Sequence, residues 1–369
     1  MASRQEQAGS RSLNERGGAA RREATRARQR IDETMMNEQA AVACKPRQQD
    51  GVLNLWKPAG MTSNAALLKV RRLTGRRKAG HVGILDTHAA GLLPICFGKA
   101  TRIVQYLQLA PKTYHGVMEL GRSTDTQDAQ GRVLAERPVP FFTDEEIEAV
   151  VARYRGEILQ QPPMYSALKH QGRRLYRLAR QGIIVDRPLR KVTIHAFELR
   201  RVDGTHLSFA VTCSTGTYVR TLCHDLGEEL ACGAHLKELR RVVLGPFRET
   251  DAISLEEVQE LARLGEVERA MVSIDTALSF LPPCRVSERG EAQLRHGQSV
   301  AGDQLVSLPA AGFEKGAMLR LRDGEGRLLA IGEGLLSSAQ LKGALLGAAA
   351  VRPKRVLVDD VPVGASDEA

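Results

Sequence analysis

The chain has 369 residues, 43% of them hydrophobic, and a formal net charge of +10 at neutral pH. That length allows two folded domains with ordinary cores. The sequence contains no run of about eighteen apolar residues and no apolar secretory signal, which excludes a membrane-spanning helix and predicts a cytoplasmic protein. The excess of Lys and Arg favours an anionic partner, with nucleic acid as the first candidate and a membrane surface as the second.

The six cysteines are widely spaced, which predicts reduced thiols without disulfides in a chain of this size. They are Cys44, Cys96, Cys213, Cys223, Cys232 and Cys284. Several of them approach His224 and His235 along the sequence, but without the C-x-x-C spacing of zinc sites. We therefore expect buried thiols and no metal site.

Residues 1–49 are rich in Arg, Gln, Ala and Glu and nearly lack large apolar side chains. Such a composition cannot bury enough surface to offset the entropy lost on ordering, so we predict a disordered tail. An Arg-rich transit peptide is the alternative, and the acidic residues of the segment oppose it. We also expect residues 359–369 to be frayed.

The first predicted elements are a strand at 52–55, a turn at 57–60 and a helix. The helix begins at Thr62 or Ser63 and stops at Gly75. Its outer face and exit are strongly basic, which is typical of a solvated face and is also compatible with an anion-binding surface. The basic residues there are Arg71, Arg72, Arg76, Arg77 and Lys78.

The segment 80–94 is the most unusual in the chain, because glycines, a proline and apolar pairs surround a single acid, Asp86. No basic residue lies close in sequence to neutralise it, and an unpaired carboxylate in an apolar loop is costly. From these residues alone, Asp86 either caps a turn or acts as a nucleophile or base on a loop shaped by glycines.

A strand, a polar loop and a helix are predicted next. The strand at 113–120 carries Tyr114, and the loop at 121–131 contains two acids. Thr143 and Glu146 have the spacing of a capping box, and apolar residues at helical spacing follow them. We expect this helix to be structural.

The stretch 162–190 combines basic residues with two tyrosines and is either an RNA-gripping arm or an amphipathic surface helix. Its basic residues are Lys169, Arg173, Arg174, Arg177, Arg180, Arg187 and Arg190. A half-buried strand at 207–213 then leads through a turn into a helix, with Tyr218 and Arg220 at the junction. Such junctions often display site residues, although a lone Arg there is more often on the surface.

The pair Pro282-Pro283 marks a boundary, after which short apolar strands alternate with turns. Segments 318–321 and 328–331 are predicted to form a hairpin, which indicates a small β-rich module of about 75 residues. The end of this module is basic. Its charged residues there are Arg352, Lys354 and Arg355.

Several motifs resemble one protein family in the same order. The run GHVGILD at 80–86, continued by GLLPICFGKAT at 91–101, resembles the catalytic motif of the TruB family of tRNA pseudouridine synthases. The further matching blocks are KPAGMTSN at 57–64, the loop 121–131, MYSALK at 164–169, GTYVR at 216–220 and LRR at 239–241. The resemblance is strong over residues 51–250 and weaker to about 358.

The resemblance implies an α+β architecture, the pseudouridine synthase fold, with a central mixed, largely antiparallel sheet flanked by helices. The catalytic domain would span residues 50–281, with about 162–190 as an insertion that clamps RNA. Residues 282–358 would form a small β-rich, PUA-like RNA-binding domain.

The implied activity is conversion of uridine 55 in the T loop of tRNA to pseudouridine. The bond from uracil N1 to the ribose breaks, and the base turns and rejoins the ribose through C5, so no cofactor is required. By resemblance Asp86 would be the nucleophile, attacking either the ribose or the base. Arg220 would pair with Asp86 in an otherwise dry pocket, and Tyr218 would line that pocket and assist proton removal from C5.

The resemblance also implies residues that bind the substrate, because the target uridine must leave the RNA stack. Tyr114 would stack against the flipped base, His81 would occupy or support the space it leaves, and Leu239 would add an apolar wall. Asp128 resembles a family acid that contacts RNA near the site. Lys57 would steady the catalytic loop or a phosphate.

The implied partner is tRNA. Lys169 and the rest of the insertion would clamp its T arm, and the PUA-like domain would touch its acceptor stem. We expect a monomer that does not bind membranes. A guide-dependent synthase is disfavoured, because the long basic insertion is typical of the stand-alone enzymes of the family.

Five positions depart from the family pattern and put loop geometry and RNA contacts in doubt. They are Trp56, Thr87, His88, Ala90 and Ser123. The alternative function is a tRNA-folding chaperone in which the departures at Trp56, Thr87 and His88 have weakened or silenced the chemistry.

Overall fold

The computed structural model describes residues 49–341, 343, 345 and 347–358. The tail predicted at 1–49, apart from Gln49, lies outside the described residues, as do Cys44 and the segment 359–369. Contacts divide the chain after Gln48, and the whole described part belongs to the second unit. Within these described residues, no helix is long and apolar enough to cross a membrane.

A ten-stranded sheet forms the centre of the molecule. Its main path runs β14-β1-β3-β12-β4-β11-β10-β7, with β2 added on β3 and β13 on β12. The strands are β1 (Gly51–Lys57), β2 (Ala79–His81), β3 (Ala90–Phe97), β4 (Lys112–Leu120), β7 (Gly156–Gln160), β10 (Arg190–Arg201), β11 (His206–Cys213), β12 (Ala234–Leu244), β13 (Phe247–Arg248) and β14 (Met271–Val272). Among these pairings only β3 with β12 is parallel, so the predicted mixed, largely antiparallel sheet is confirmed.

Helices cover the sheet unevenly. They are α1 (Ser63–Thr74), α2 (Val104–Leu107), α3 (Asp144–Ala152), α4 (Leu175–Ala179), α5 (Val219–Glu229), α6 (Leu255–Leu264) and α7 (Ile274–Ala277). Apolar residues of β1 and β3 pack against α1 and α6 on one face and against α2 and α7 on the other. Strands β4, β10 and β11 pack against α3 and α5 on one face only.

Two small hairpins lie outside the central sheet. Strands β5 (Arg122–Thr124) and β6 (Val133–Glu136) flank the polar loop, and β8 (Lys169–His170) pairs with β9 (Arg173–Arg174) in the basic insertion. The insertion therefore contains a short hairpin and the five-residue helix α4, and the amphipathic surface helix offered as one interpretation of 162–190 is wrong as a description of the whole stretch.

The C-terminal part forms a second, six-stranded sheet in the order β16-β20-β19-β18-β15-β17. Its strands are β15 (Pro283–Val286), β16 (Val300–Ala301), β17 (Leu305–Ser307), β18 (Met318–Arg322), β19 (Leu328–Gly334) and β20 (Ala349–Val356), with helices α8 (Glu288–Arg295) and α9 (Ser338–Leu341). The predicted hairpin is present as the antiparallel pair β18 and β19. The strands from Pro283 to Val356 thus add a β-rich module to the α+β part that contains the ten-stranded sheet.

Local signals in the sequence explain several boundaries. The Thr62 hydroxyl accepts a hydrogen bond from the Ala65 amide (3.1 Å) and starts α1, and Gly75 ends it at φ 65°, a backbone conformation that favours glycine. Thr143 and Glu146 form the predicted capping box of α3. These elements were predicted because their signals lie within a few residues of each other.

Arg76 differs from the prediction of a solvated basic exit. Its side chain is buried, forms an ion pair with Glu268 and donates to the Gln49 carbonyl oxygen at 2.7 Å. Glu268 lies 192 residues away in sequence. A partner at that separation leaves no local pattern that could indicate burial.

Candidate active site

The loop that carries Asp86 joins β2 to β3 and is held by its backbone. The buried Ser63 hydroxyl accepts a hydrogen bond from the Leu85 amide (2.9 Å) and lies 3.1 Å from the Leu85 carbonyl oxygen, to which it donates. The Gly60 amide donates to the Thr87 carbonyl oxygen (2.7 Å), and the Ala89 amide donates to that of Asp86 (3.1 Å). These bonds fix the loop against the start of α1.

The Asp86 carboxylate projects from this anchored loop into an open cleft. Its side chain is 45% exposed, so the expectation of a dry pocket is wrong for the free protein. The physical reason is that the loop is bonded from beneath, by Ser63 and Gly60, while its outer side faces solvent. Leu239 and Asp128 line the same cleft, together with His88 and Leu236.

Arg220 is buried and bonds two of the acids that line the cleft. It lies in the first turn of α5, and its side chain is 8% exposed. Its Nη2 is 3.3 Å from both carboxylate oxygens of Asp86, and its Nη1 is 3.4 Å from Oδ2 of Asp128. The interpretation of a lone surface Arg is therefore wrong, and one guanidinium joins two acids.

Backbone carbonyls complete the surroundings of Arg220. Nη2 donates to the Tyr165 carbonyl oxygen (3.0 Å) and Nη1 to that of Thr126 (3.4 Å). Tyr165 lies at the root of the basic insertion, so this part of the chain contacts the buried arginine directly. Such charge-assisted bonds hold the fork of donors in one orientation.

Asp128 is itself held in place by its own loop. Its Oδ1 accepts hydrogen bonds from the Thr126 hydroxyl (2.6 Å) and the Gln130 amide (3.0 Å). The preceding Gln127 has φ 62°, which is uncommon for a side chain other than glycine, and its amide oxygen accepts from the Thr221 hydroxyl (2.7 Å). This turn leaves Oδ2 directed at Arg220.

Lys57 is the last residue of β1 and lies inside the protein, near the Asp86 carboxylate. It is fully buried, and its Nζ donates to the carbonyl oxygens of Pro58 (2.9 Å) and Met61 (2.6 Å). Burial lowers its pKa to about 8, while the Asp86 carboxylate opposes this and the Arg241 guanidinium adds to it. These contacts lie within the turn at 57–61, whose Gly60 amide bonds the Thr87 carbonyl oxygen of the Asp86 loop.

Arg241 is the second buried arginine of the region and is 1% exposed. Its Nε donates to the Leu92 carbonyl oxygen (2.9 Å) and its Nη2 to that of Val82 (3.4 Å), so it ties β12 to both ends of the catalytic loop. In the sequence Arg241 follows Arg240 in the LRR block at 239–241. Arg240 is exposed, whereas Arg241 faces the interior.

The parallel contact between β3 and β12 requires a glycine. Gly91 pairs with Arg241 and has φ 116°. A Cβ atom at this position would lie 2.4 Å from the Arg241 carbonyl oxygen. Only glycine allows the two backbones to approach this closely, and that approach brings the catalytic loop beside β12.

Tyr114 lies on β4 beside this network and is 9% exposed. Burial raises the pKa of its hydroxyl, and the hydrogen-bonded Arg241 guanidinium acts in the opposite direction. His81 is half-buried, and its Nδ1 lies 2.6 Å from the Gly83 carbonyl oxygen, which places the ring proton on Nδ1. Both residues flank the catalytic loop.

Tyr218 and Lys169 occupy different surroundings. Tyr218 is half-buried at the start of α5, and the buried Gln160 side chain contacts its backbone twice. The Gln160 amide group donates to the Tyr218 carbonyl oxygen (3.1 Å) and its oxygen accepts from the Tyr218 amide (2.8 Å). Lys169 is exposed on the β8–β9 hairpin and belongs to the insertion, away from the Asp86 and Arg220 pair.

Sequence reasoning missed Gln160, Ser63 and the internal role of Arg241. Each is a polar residue that binds backbone groups distant in sequence, and Gln160 reaches Tyr218 across 58 positions. Ser63 and Arg241 lie in sequence blocks that match the family, and this was the only indication in the sequence that they are important. Gln160 directly precedes the Gln161-Pro162-Pro163 break, and no chain-local pattern marks it as buried.

The five departures from the family pattern lie in different surroundings. Ser123 is buried and Trp56 packs partly buried against the core. Thr87 contributes its carbonyl oxygen to the bond with Gly60, and Ala90 pairs with Arg240 in the parallel ladder. His88 is exposed and lines the cleft.

The cysteines of the described residues are buried thiols. The five described cysteines are free and buried. Burial raises the pKa of the Cys96 thiol to about 12 and that of Cys213 to about 11. No group of three or more His, Cys, Asp or Glu side chains in residues 49–358, as far as these are described, is arranged to hold a metal ion.

Comparison with known proteins supplies the family. Residues 71–219 match the model of the TruB family pseudouridylate synthase N-terminal domain, and residues 220–279 match that of the tRNA pseudouridylate synthase B C-terminal domain. The chain is 45% identical over 290 residues to tRNA pseudouridine synthase B of Stutzerimonas stutzeri, covering 78% of this chain and 92% of that protein. It is 47% identical over 253 residues to the Chromohalobacter salexigens protein of the same name, covering 68% and 81%.

Solved structures agree with this assignment. A chain in the crystal structure of a Cbf5-Nop10-Gar1 complex has a TM-score of 0.67 and 28% identity, with 84% of this chain and 85% of that chain covered. A chain in the archaeal box H/ACA sRNP Nop10-Cbf5 complex has a TM-score of 0.64 and 27% identity, with 84% and 86% covered. Sequence and fold together place this chain in the TruB family of pseudouridylate synthases.

Proposed function

We propose that this enzyme, a tRNA pseudouridine synthase by family, isomerises uridine 55 of the T loop and uses Asp86 as its nucleophile. The observation that carries the proposal is the exposed Asp86 carboxylate held 3.3 Å from the buried Arg220 in a cleft. The guanidinium orients the carboxylate through charge-assisted hydrogen bonds.

The reaction needs no redox partner. The N1–C1′ glycosidic bond breaks, a C5–C1′ bond forms, the proton on C5 leaves and N1 gains a proton. Asp86 supplies the electron pair for the covalent step, at the ribose or at the base, and is released unchanged. The half-buried Tyr218 beside Arg220 is the proposed acceptor of the C5 proton.

The target uridine must leave its stack to reach Asp86. We assign Tyr114 to stacking on the flipped base, His81 to the space that it leaves and Leu239 to the apolar wall of the cleft. The shared cleft of Asp86, Asp128 and Leu239 supports this assignment. Because Asp128 also bonds Arg220, it serves to orient that guanidinium in addition to any contact with RNA.

The RNA-binding surfaces follow from exposed charge. Exposed basic residues of the insertion would clamp the T arm, with contributions from Lys169, Arg173, Arg174, Arg177, Arg180 and Arg190. Phosphates attract such groups with little demand on geometry. Within the same proposal, residues 50–281 act as the catalytic domain and the protein works as a monomer.

The C-terminal module would contact the acceptor stem as a PUA-like domain. It is fastened to the catalytic part by Arg320, which donates to the Leu281 carbonyl oxygen (2.9 Å) and pairs with Asp275 (3.0 Å). The positive charge at its C-terminal end is smaller than the sequence predicted, because Arg352 and Lys354 both form ion pairs with Glu333. Because the module is bonded to the rest of the protein, the proposed contacts with the T arm and with the acceptor stem would lie at a fixed distance from each other.

The test uses purified protein and a T-arm hairpin, with nucleoside mass spectrometry as the readout. We expect wild type to form pseudouridine at the position equivalent to 55. Asp86→Asn should abolish conversion while hairpin binding stays within about threefold, and the matched control Asp144→Asn, an exposed acid on α3, should retain full activity. Refolding of tRNA without pseudouridine would support the chaperone alternative, and an active Asp86→Asn protein would overturn the role of the nucleophile.

A further inference from the structure

One large apolar side chain of the loop that carries Asp86 projects into solvent. Ile84 is 63% exposed, although it lies between buried residues of the same loop. Val82 is fully buried and Leu85 is 4% exposed. The loop therefore sends two apolar side chains into the core and directs a third outward, two positions before Asp86.

The loop that presents Ile84 is anchored on both sides of it. The Gly83 carbonyl oxygen accepts from His81 at 2.6 Å, and the Leu85 amide and carbonyl are both bonded to Ser63. Gly83 has φ 69° and lies against the Arg241 guanidinium, which closes off the inner side. The outward position of Ile84 follows from this bonded backbone.

Single exposed apolar residues are common on protein surfaces and need no explanation by themselves. Ile84 differs because it is rigidly presented beside the residue that must receive an extruded base. Its β-branched side chain has few rotamers, so ordering it against a ligand costs little entropy. Proteins that unstack nucleic acids insert side chains of this kind, including Ile, between bases.

We propose that Ile84 is an apolar wedge that packs on the face of the nucleobase next to the target uridine and holds the RNA unstacked. This inference rests on the proposed function and adds a binding contact to it. His81 and Ile84 would then have separate roles in keeping the RNA unstacked. The bonded, polar His81 ring lies at the base of the loop, and Ile84 covers the apolar face of the neighbouring base.

The experiment measures unstacking and reaction separately. A T-arm hairpin carries 2-aminopurine directly 3′ of the target uridine, and its fluorescence rises when the probe loses its stacking partner. Single-turnover pseudouridine formation is measured on the unlabelled hairpin. The variants are Ile84→Ala, Ile84→Leu and Val202→Ala, the last being a β-branched residue that is 59% exposed in the turn between β10 and β11.

We expect Ile84→Ala to lose most of the fluorescence rise and to react about tenfold more slowly, which corresponds to about 1.4 kcal/mol. Ile84→Leu keeps the bulk and should stay within about twofold of wild type, as should Val202→Ala. Both sites are exposed, so all three variants should have the melting temperature of wild type, which can be checked.

The fluorescence decides the proposal. An unchanged rise for Ile84→Ala would overturn the wedge, whether or not the rate falls, because unstacking would then not depend on this side chain. Failure of wild type to form pseudouridine would contradict the proposed function instead, and the fluorescence comparison would still decide the role of Ile84.

Discussion

The buried arginines Arg220 and Arg241 have different surroundings from the exposed arginines of the arm, residues 162–190, although every arginine counts equally toward the net charge of +10. Arg220 and Arg241 are 7% and 1% exposed, and acids or backbone carbonyls surround their guanidinium groups. Arg177 and Arg180 of the arm are exposed. Buried guanidinium groups act through fixed geometry, whereas exposed ones neutralise phosphates over a broad range of positions. We therefore expect the first pair to set the rate and the arm to set the affinity.

The largest effect is expected at Arg220. A Lys at this position keeps the charge but loses the planar fork that joins Asp86, Asp128 and two carbonyl oxygens. We expect Arg220→Lys to slow single-turnover conversion by about a hundredfold or more while binding stays within about threefold. The matched control is Arg240→Lys on β12, which is exposed and should stay within about twofold. Equal rates for Arg220→Lys and wild type would contradict the division between the two groups.

An intermediate effect is expected in the arm. Lys169→Gln combined with Arg180→Gln removes two exposed charges, so the slope of log affinity against log salt should fall by about 2 if each contacts one phosphate. The rate at saturating enzyme should not change. Arg263→Gln with Arg269→Gln, two exposed arginines paired with neighbouring glutamates, provides the control. A slower saturated rate in the arm variant would show that the arm also shapes the cleft.

The smallest effect concerns Lys57. Its folded pKa of about 8 lies below the ordinary 10.5, so between these pH values the unfolded chain binds a proton that the folded chain does not. Stability from this group therefore rises with pH across that window. The unfolding free energy of wild type minus that of Lys57→Met, measured by urea unfolding, should therefore increase from about pH 8 to about pH 10. Lys112, whose pKa burial also lowers to about 8, adds a rise to both curves, and the Cys96 and Cys213 thiols, whose pKa values burial raises, add a fall to both. The difference between the curves isolates Lys57, and Lys78→Met, an exposed site, should keep the wild-type curve.

The sequence predicted features whose causes are local. The caps of α1, the capping box of α3 and the β18–β19 hairpin all depend on residues a few positions apart. The resemblance to the family added the order of the motifs and the pairing of Asp86 with Arg220. That pairing is present at 3.3 Å.

Burial of individual charges could not be predicted in the same way. Arg241 reaches the Leu92 carbonyl oxygen across 149 positions, and Arg76 reaches Glu268 across 192. Whether an Arg faces solvent depends on such partners, which the tertiary fold supplies and the local pattern does not. For the same reason Asp86 was expected in a dry pocket, while the cleft leaves it nearly half exposed.

The most direct test of the division between buried and exposed arginines is a salt titration of the wild-type enzyme with a T-arm hairpin. Binding and the single-turnover rate at saturating enzyme are measured together from about 50 to about 200 mM salt. We predict that affinity falls by more than about tenfold while the saturated rate changes by less than about twofold, because Asp86 lies 3.3 Å from the buried Arg220, a separation well inside the screening length of the salt. A saturated rate that falls in parallel with affinity would contradict the account.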